Sequence, residues 1–316
     1  MNFFSLNKFH VLTSLSKHLD IVIDNKIDPL NSDRTFIGWN WFSNEKVFEA
    51  RKKKGLQSVC VERGALPETI FLDINGFNYN SSSYNQKNWD KPLSFQQKNL
   101  ISEYIKDYKQ NANLTLEKQD SSCIDVDTLR YKIIKRGNFK KVIFIPLQVP
   151  NDTVVKRFPG LIKSYENFLQ CVKDLSRAFP HFAFVYKNHP LEKTFNSEDN
   201  NLICADESHF KACLEICDAV LTINSGVGLQ ALIYNKPTYI VGDAYYENKF
   251  LNVSIKEKND IGDSISTNFI PNKELTLKFL YWLRFEFYSS VKWTEKNHNR
   301  GFSYIESIEK LNIWRD

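Results

Sequence analysis

Asp152, His189 and Ser225 each stand just past a run of apolar residues: KVIFIPL before the first, FAFVYK before the second, AVLTIN before the third. In an open α/β sheet, ligands bind outside the carboxyl ends of such strands, so three polar strand ends point to one site. A carboxylate there serves as a base, or as a nucleophile at an electron-poor sugar carbon. Gln148, four residues before Asp152, is suited to hold it or the substrate by hydrogen bonds. His189 precedes Pro190, which stiffens the loop, and Lys187 lies two residues earlier on the same side of the strand. They form a cationic pair for a nucleotide phosphate. Asn224, Ser225 and Gly226 join a strand to a helix, where small residues let backbone amides and the helix dipole approach a phosphate. Each has a plainer reading: a helix cap at Asp152, a turn at His-Pro, an N-cap at Ser225.

A second carboxylate, Glu62, ends the run SVCVE and leads into Arg63 and Gly64. Facing Asp152 across a cleft, it would complete the paired carboxyl groups of glycosyl chemistry; by itself it reads as a surface carboxylate near Arg63. Asp125-Val-Asp127 has the form of a metal-binding DxD, but no strand precedes it, and alternating carboxylates are common in loops. Cys213 and Cys217 have helical spacing with no second ligand pair nearby, so the six cysteines read as reduced thiols and no metal is expected.

These residues need strands to present them. Apolar runs alternate with helical ones at 20–24, 34–39, 58–62 and 69–73, with a polar helix over 43–54, giving a βαβ rhythm. Residues 76–95, rich in Asn and Ser, read as a long loop, functional or mobile, followed by a helix near 94–109. The polar stretch 110–139 holds no strand and is taken as the hinge. From 141 strands (141–147, 182–187, 219–224, 237–242) alternate with helices (160–178, 208–217, 227–234), as in a parallel sheet covered on both faces. Aromatic-rich helices over 273–290 and 302–313 close the chain. The domains are then 1–135, 136–280 and a C-terminal segment 281–316 that crosses back to the first.

The chain's 316 residues, 42% of them hydrophobic, suffice for two cores. A net charge of +5 provides no strong phosphate attraction, so no nucleic-acid partner is expected. The densest basic run, Arg51 to Lys54, reads as a solvated helix end, with contact to an anionic membrane as the sharper alternative. Lys8, His10, Lys17 and His18 interrupt the N-terminal apolar residues, which implies a cytoplasmic protein, soluble or peripheral at the inner membrane.

FIGWNW (36–41), VERG (61–64), PLQVPND (146–152), KNHP (187–190) and SGVGLQALIYNKP (225–237) together resemble the bacterial capsule-polysaccharide family of retaining β-Kdo glycosyltransferases, over about residues 35–250. The resemblance implies an α/β, GT-B-like fold: two Rossmann-like domains facing a central cleft, acceptor in the first and CMP-β-Kdo in the second. It implies Asp152 as nucleophile, Glu62 as the acid of the first domain, His189 with Lys187 at the CMP phosphate, and Ser225-Gly226 below the nucleotide. No cofactor or metal is implied; the partners are the nucleotide-sugar donor, an oligosaccharide or glycolipid acceptor of a capsule, O-antigen or lipooligosaccharide, and other glycan-assembly enzymes. Where the family has Glu to hold the ribose, this chain has Gln230. The alternatives are a transferase for another CMP-linked acidic sugar, such as a sialic acid, and a non-catalytic glycan-binding or assembly subunit.

Overall fold

A computed structural model describes residues 2–3, 22–23, 28, 30, 33, 36–39, 41–116, 119, 122–193, 195–296 and 299–305. The chain divides into two compact units, Met1–Trp89 with Tyr281–Asp316, and Asp90–Leu280. The expected run at 20–24 is described only at Val22–Ile23, a strand pair with Asn2–Phe3; 34–35 and 306–313 lie outside the described residues.

In the first unit, β1 (Phe36–Trp39) leads through α1 (Trp41–Lys53) to β2 (Ser58–Arg63) and β3 (Thr69–Asp73). β1 and β2 are parallel, as their helical crossover requires, but β2 and β3 are antiparallel. The link Gly64 to Glu68 is too short for a parallel crossover, so the βαβ rhythm stops at β2. Of the run read as a solvated helix end, Lys52, Lys53 and Lys54 are exposed, but Arg51 turns inward. It is fully buried, its guanidinium donating to the Gln57 carbonyl at 2.8 Å and Ser58 Oγ at 3.1 Å, while Lys54 Nζ reaches the Leu30 carbonyl at 2.6 Å. Residues 76–95 fold into short helical turns (Asn78–Asn80, Ser82–Tyr84, Gln86–Trp89) pinned to the buried Asp73 carboxylate, which accepts from Ser81 Oγ at 2.5 Å and Ser83 Oγ at 2.8 Å. Burial pushes the Asp73 carboxyl above its ordinary pKa, with the Ser81 and Ser83 hydroxyls and the Asn75 amide opposing.

The second unit begins with α2 (Phe95–Gln110), closed at its start by a Ser94/Gln97 capping box, and α3 (Val126–Ile134). α2 is the helix expected near 94–109, whereas α3 lies in the stretch read as a hinge. They bury Ile101, Tyr108, Leu129 and Ile133, and Lys211 Nζ caps the end of α2 through the Tyr108 and Asn111 carbonyls. The first division of the chain therefore falls at 89/90, where the sequence reading put it at 135/136.

There follow β4 (Lys141–Pro146), α4 (Thr153–Arg157), α5 (Tyr165–Ala178), β5 (Phe182–Lys187), β6 (Leu202–Cys204), α6 (Phe210–Ile216), β7 (Ala219–Thr222), α7 (Gly226–Ala231), β8 (Thr238–Ile240), β9 (Val253–Ser254), α8 (Asp260–Ser266) and α9 (Lys273–Tyr281). The sheet is wholly parallel, in the order β9-β8-β7-β4-β5-β6. β5, β7 and β8 are buried along their whole lengths, which explains the continuous apolar runs. The strand order reverses between β4 and β7; in doubly wound sheets this is where a crevice opens at the carboxyl ends.

After α9 the chain makes a π-helical turn (Trp282–Phe287), and β10 (Ser289–Lys296) and β11 (Asn299–Ile305) form an antiparallel hairpin that joins the first unit's sheet through β3. The helix expected over 302–313 is thus a strand as far as Ile305, in keeping with its aromatic and alternating residues. Trp282 and Phe287 stack at 4.7 Å and pack with Tyr84 and Phe71, so these aromatics form core.

Candidate active site at the strand-order reversal

β4 and β5 run in register from Lys141↔Phe182 to Pro146↔Lys187, and β7 flanks β4 at Ile143↔Ala219. Their carboxyl ends therefore release Leu147 to Asp152, Asn188-His189 and Ile223 to Gly226 side by side.

Asp152 is the N-cap of α4, accepting from the Val154 amide at 3.2 Å. The cap does not preclude chemistry, because a carboxylate has lone pairs beyond the one that closes a helix. Its side chain reaches the surface, yet crowding by surrounding protein pushes the carboxyl above the ordinary range; the Val154 amide and the charge of His189 oppose that shift. Asp152 and His189 are thus near enough for a charged imidazole to favour the carboxylate. His189 Nδ1 accepts from the Leu191 amide at 3.2 Å, so the neutral ring carries its hydrogen on Nε2.

Gln148 and Asn224 clasp each other across the reversal: Gln148 Nε2 donates to Asn224 Oδ1 at 3.0 Å. Asn224 Nδ2 in turn donates to the Val154 and Phe158 carbonyls, each at 2.9 Å. Both amides, expected to bind substrate, are buried and hold the α4 loop that presents Asp152. Glycines complete the seam: a side chain on Gly160 (φ +54°) would strike the Gly242 backbone at 2.7 Å, and the Leu161 amide donates to the Val241 carbonyl.

Ser225 caps α7 through the Val227 amide at 3.2 Å, and its carbonyl accepts from Tyr246 at 2.7 Å. Gly228 is small because a Cβ there would collide with the Tyr246 hydroxyl and Thr222. Lys187 is buried and donates to the Asp206 carbonyl at 2.5 Å, while Asn188 binds the Asp206 carboxylate through its backbone and side chain. Gln230 is 2% exposed, with Oε1 accepting from Tyr108 at 2.6 Å. That hydrogen bond ties α7 to α2.

In the first unit, Glu62 and Arg63 are half-buried on β2, opposite Phe71 and Ile70. Gly64 answers to packing: a Cβ there would overlap Thr69 Oγ1 and come 2.9 Å from Tyr288. Asp125 caps α3 through Thr128, and Asp127 pairs with Arg130 at 2.7 Å. Among the described residues, no three His, Cys, Asp or Glu side chains converge as for a metal. Cys213 and Cys217 are buried thiols whose pKa burial raises, Cys213 to about 12. Sequence reasoning missed Tyr246, Asp206 and His209, whose long-range partners lie 18 or more residues away. Burial lowers the His209 pKa to about 4. No local spacing signals such contacts.

Residues 83–253, more than half of the chain, match the family described as capsule polysaccharide biosynthesis protein. The chain belongs to this family. Among similar members of known sequence, Protein FixF of Sinorhizobium fredii is 24% identical over 242 residues, 74% of this chain and 55% of FixF. The capsule polysaccharide modification protein LipB of Neisseria meningitidis is 27% identical over 189 residues, 52% of this chain and 44% of LipB. This capsule-family chain therefore spans about half the length of the curated relatives it matches. Two Thermosulfurimonas dismutans KpsC structures, a beta Kdo 2,7 transferase and a beta Kdo 2,4 transferase, align with TM-scores of 0.60 and 0.64. They cover 95% of this chain and 94% of each of theirs, at 16% and 14% identity. That likeness establishes the GT-B-like α/β fold. No helix among the described residues is long and apolar enough to cross a membrane.

Proposed function

We propose that this capsule-family chain transfers Kdo from CMP-β-Kdo to a surface-glycan acceptor with retention of configuration, and that Asp152 is the nucleophile. The observation that carries the reading is the placement of Asp152 and His189 on the segments that leave two adjacent strands, β4 and β5, at the carboxyl edge where the parallel sheet reverses its strand order. Family membership and the fold shared with two β-Kdo transferases support it.

In the proposed reaction an Asp152 oxygen forms a bond to the anomeric carbon as the bond from that carbon to the CMP phosphate oxygen breaks, the electron pair leaving with CMP. His189 Nε2–H donates to that oxygen. The acceptor hydroxyl then attacks from the vacated face, giving its proton to a general base, and Asp152 departs as carboxylate. Two inversions give net retention. The backbone at Ser225 and Gly226 is proposed for the phosphate, and the reaction needs no divalent metal in principle.

The test is incubation with CMP-Kdo, generated in situ, and a panel of synthetic acceptors. With donor alone, mass spectrometry of the Asp152 peptide is expected to show a Kdo adduct that acceptor discharges. Inverted product, or an adduct elsewhere with Asp152→Ala still active, refutes the nucleophile assignment. Transfer only from a different CMP-linked acidic sugar would keep the mechanism and replace the donor. Absence of CMP binding would favour a non-catalytic assembly subunit.

A further inference from the structure

One stretch of the chain carries several cations and no carboxylate. Residues 128–151 contain no Asp or Glu but hold Arg130, Lys132, Lys135, Arg136, Lys140 and Lys141, six cations in a chain whose net charge is +5, so the remainder sums to −1. Lys141 is turned inward, its ammonium on the Ile265 and Thr267 carbonyls. Arg130 and Lys132 face Asp127 and Glu207. Among the described residues, Lys135, Arg136 and Lys140 are exposed with no carboxylate at ion-pair distance. In their midst α3 turns two large apolar side chains outward: Tyr131 is 60% exposed and Ile134 64%, while Leu129 and Ile133 fill the opposite, buried face. The Lys135 ammonium sits 4.4 Å from the centre of the Tyr131 ring.

We infer that the outer face of α3, with the cations that follow it, docks on an anionic lipid bilayer. A lysine or arginine near such a surface is attracted by about 1 kcal/mol, roughly fivefold in affinity, and an amphipathic face adds the transfer of its apolar side chains to the interface. Ile134 decides between a bilayer and other polyanions. A hydrated polysaccharide or nucleic acid offers an exposed isoleucine nothing, whereas the headgroup boundary accepts it, with Tyr131 beside it in its amphipathic role. Of the other basic run, Arg51 is buried, while Lys52, Lys53 and Lys54 are exposed. Docking through α3 does not depend on the transferase reading.

The test uses the full chain with sedimenting vesicles of phosphatidylcholine alone, or mixed with an equal amount of phosphatidylglycerol. Binding is expected only to the mixed vesicles, and it weakens as salt is raised. Lys135→Glu/Arg136→Glu should weaken it at least tenfold, and Tyr131→Ser/Ile134→Ser should do likewise with an unchanged thermal midpoint, since the buried face of α3 is untouched. Failure of the parent to sediment with mixed vesicles at low salt overturns the proposal, as does undiminished binding by both variants. Tyr131→Ser/Ile134→Ser that abolishes a dimer seen by gel filtration, yet leaves vesicle binding intact, would assign the face to contact between copies.

Discussion

The two units hold their candidate carboxylates in different ways. In the second unit Asp152 stands on a loop that the parallel sheet brings to its edge, and a buried amide pair, Gln148 and Asn224, anchors that loop from below. In the first unit Glu62 belongs to a strand of a largely antiparallel sheet, held by its own ladder to β3, while the neighbouring loop is tied down by Asp73. A loop carboxylate can be aimed independently of the sheet, whereas a strand carboxylate is fixed by pleat and register. The first arrangement concentrates consequences in a few side-chain hydrogen bonds; the second spreads them over a backbone ladder.

The largest expected effect is the loss of Asp152. Asp152→Ala should lower transfer by roughly 10⁴-fold, the scale for removing a nucleophile, with the fold retained. Asp152→Asn keeps an N-cap and should be equally inactive. The raised pKa of Asp152 fixes the sign of the pH dependence: folding favours the protonated acid, so the charged form costs stability at neutral pH. The Asn variant is therefore expected to unfold at a slightly higher temperature than the parent at pH 7, with the difference vanishing below about pH 3, where the parent carboxyl is protonated in both states. Turnover of the parent should fall on acidification through a pKa above the ordinary carboxylate range; an acid limb at or below that range would contradict the environment assigned to Asp152.

Asn224→Ala comes next. It strands the Val154 and Phe158 carbonyls and the Gln148 amide in a buried seam, at about 2–4 kcal/mol in urea unfolding, and should lower transfer along with stability. If stability falls but turnover per folded molecule does not, the clasp positions nothing and the comparison between the units fails. In the first unit, Gly64→Ala drives a methyl into Thr69 and Tyr288, an overpacking worth about 1–3 kcal/mol, with little change in donor binding. Gln230→Glu is the mildest: it sets a carboxyl against Tyr108 in a buried site, raising its pKa, so stability should drop at neutral pH and recover in acid. Tighter CMP binding by that variant would return position 230 to the nucleotide site.

Much of the second unit was legible because fully buried strands must be continuously apolar, and the polar residue ending each run marks an edge whatever the packing. The edge strands β6 and β9, of three and two residues, were too short to leave a pattern. The first unit was harder. The turn at 64–68 excluded a crossover on length alone, but the pairing of β3 with a C-terminal hairpin joins residues more than two hundred positions apart, and no local signal carries that. Arg51, Lys187 and Gln230 are more buried than the sequence suggested, for one shared reason. Their polarity argued for solvent or ligand, while each finds an internal carbonyl or hydroxyl partner that makes burial tolerable.

The sequence by itself determined which residues lie at strand ends, and hence that Asp152, His189 and Ser225 belong to one edge, because burial on both faces of a parallel strand constrains every position within it. Only the tertiary structure decided which polar groups remain to meet a substrate and which are consumed in holding the loops. That choice depends on acceptors supplied from distant parts of the chain, and hydrogen-bond geometry over such separations is set by packing.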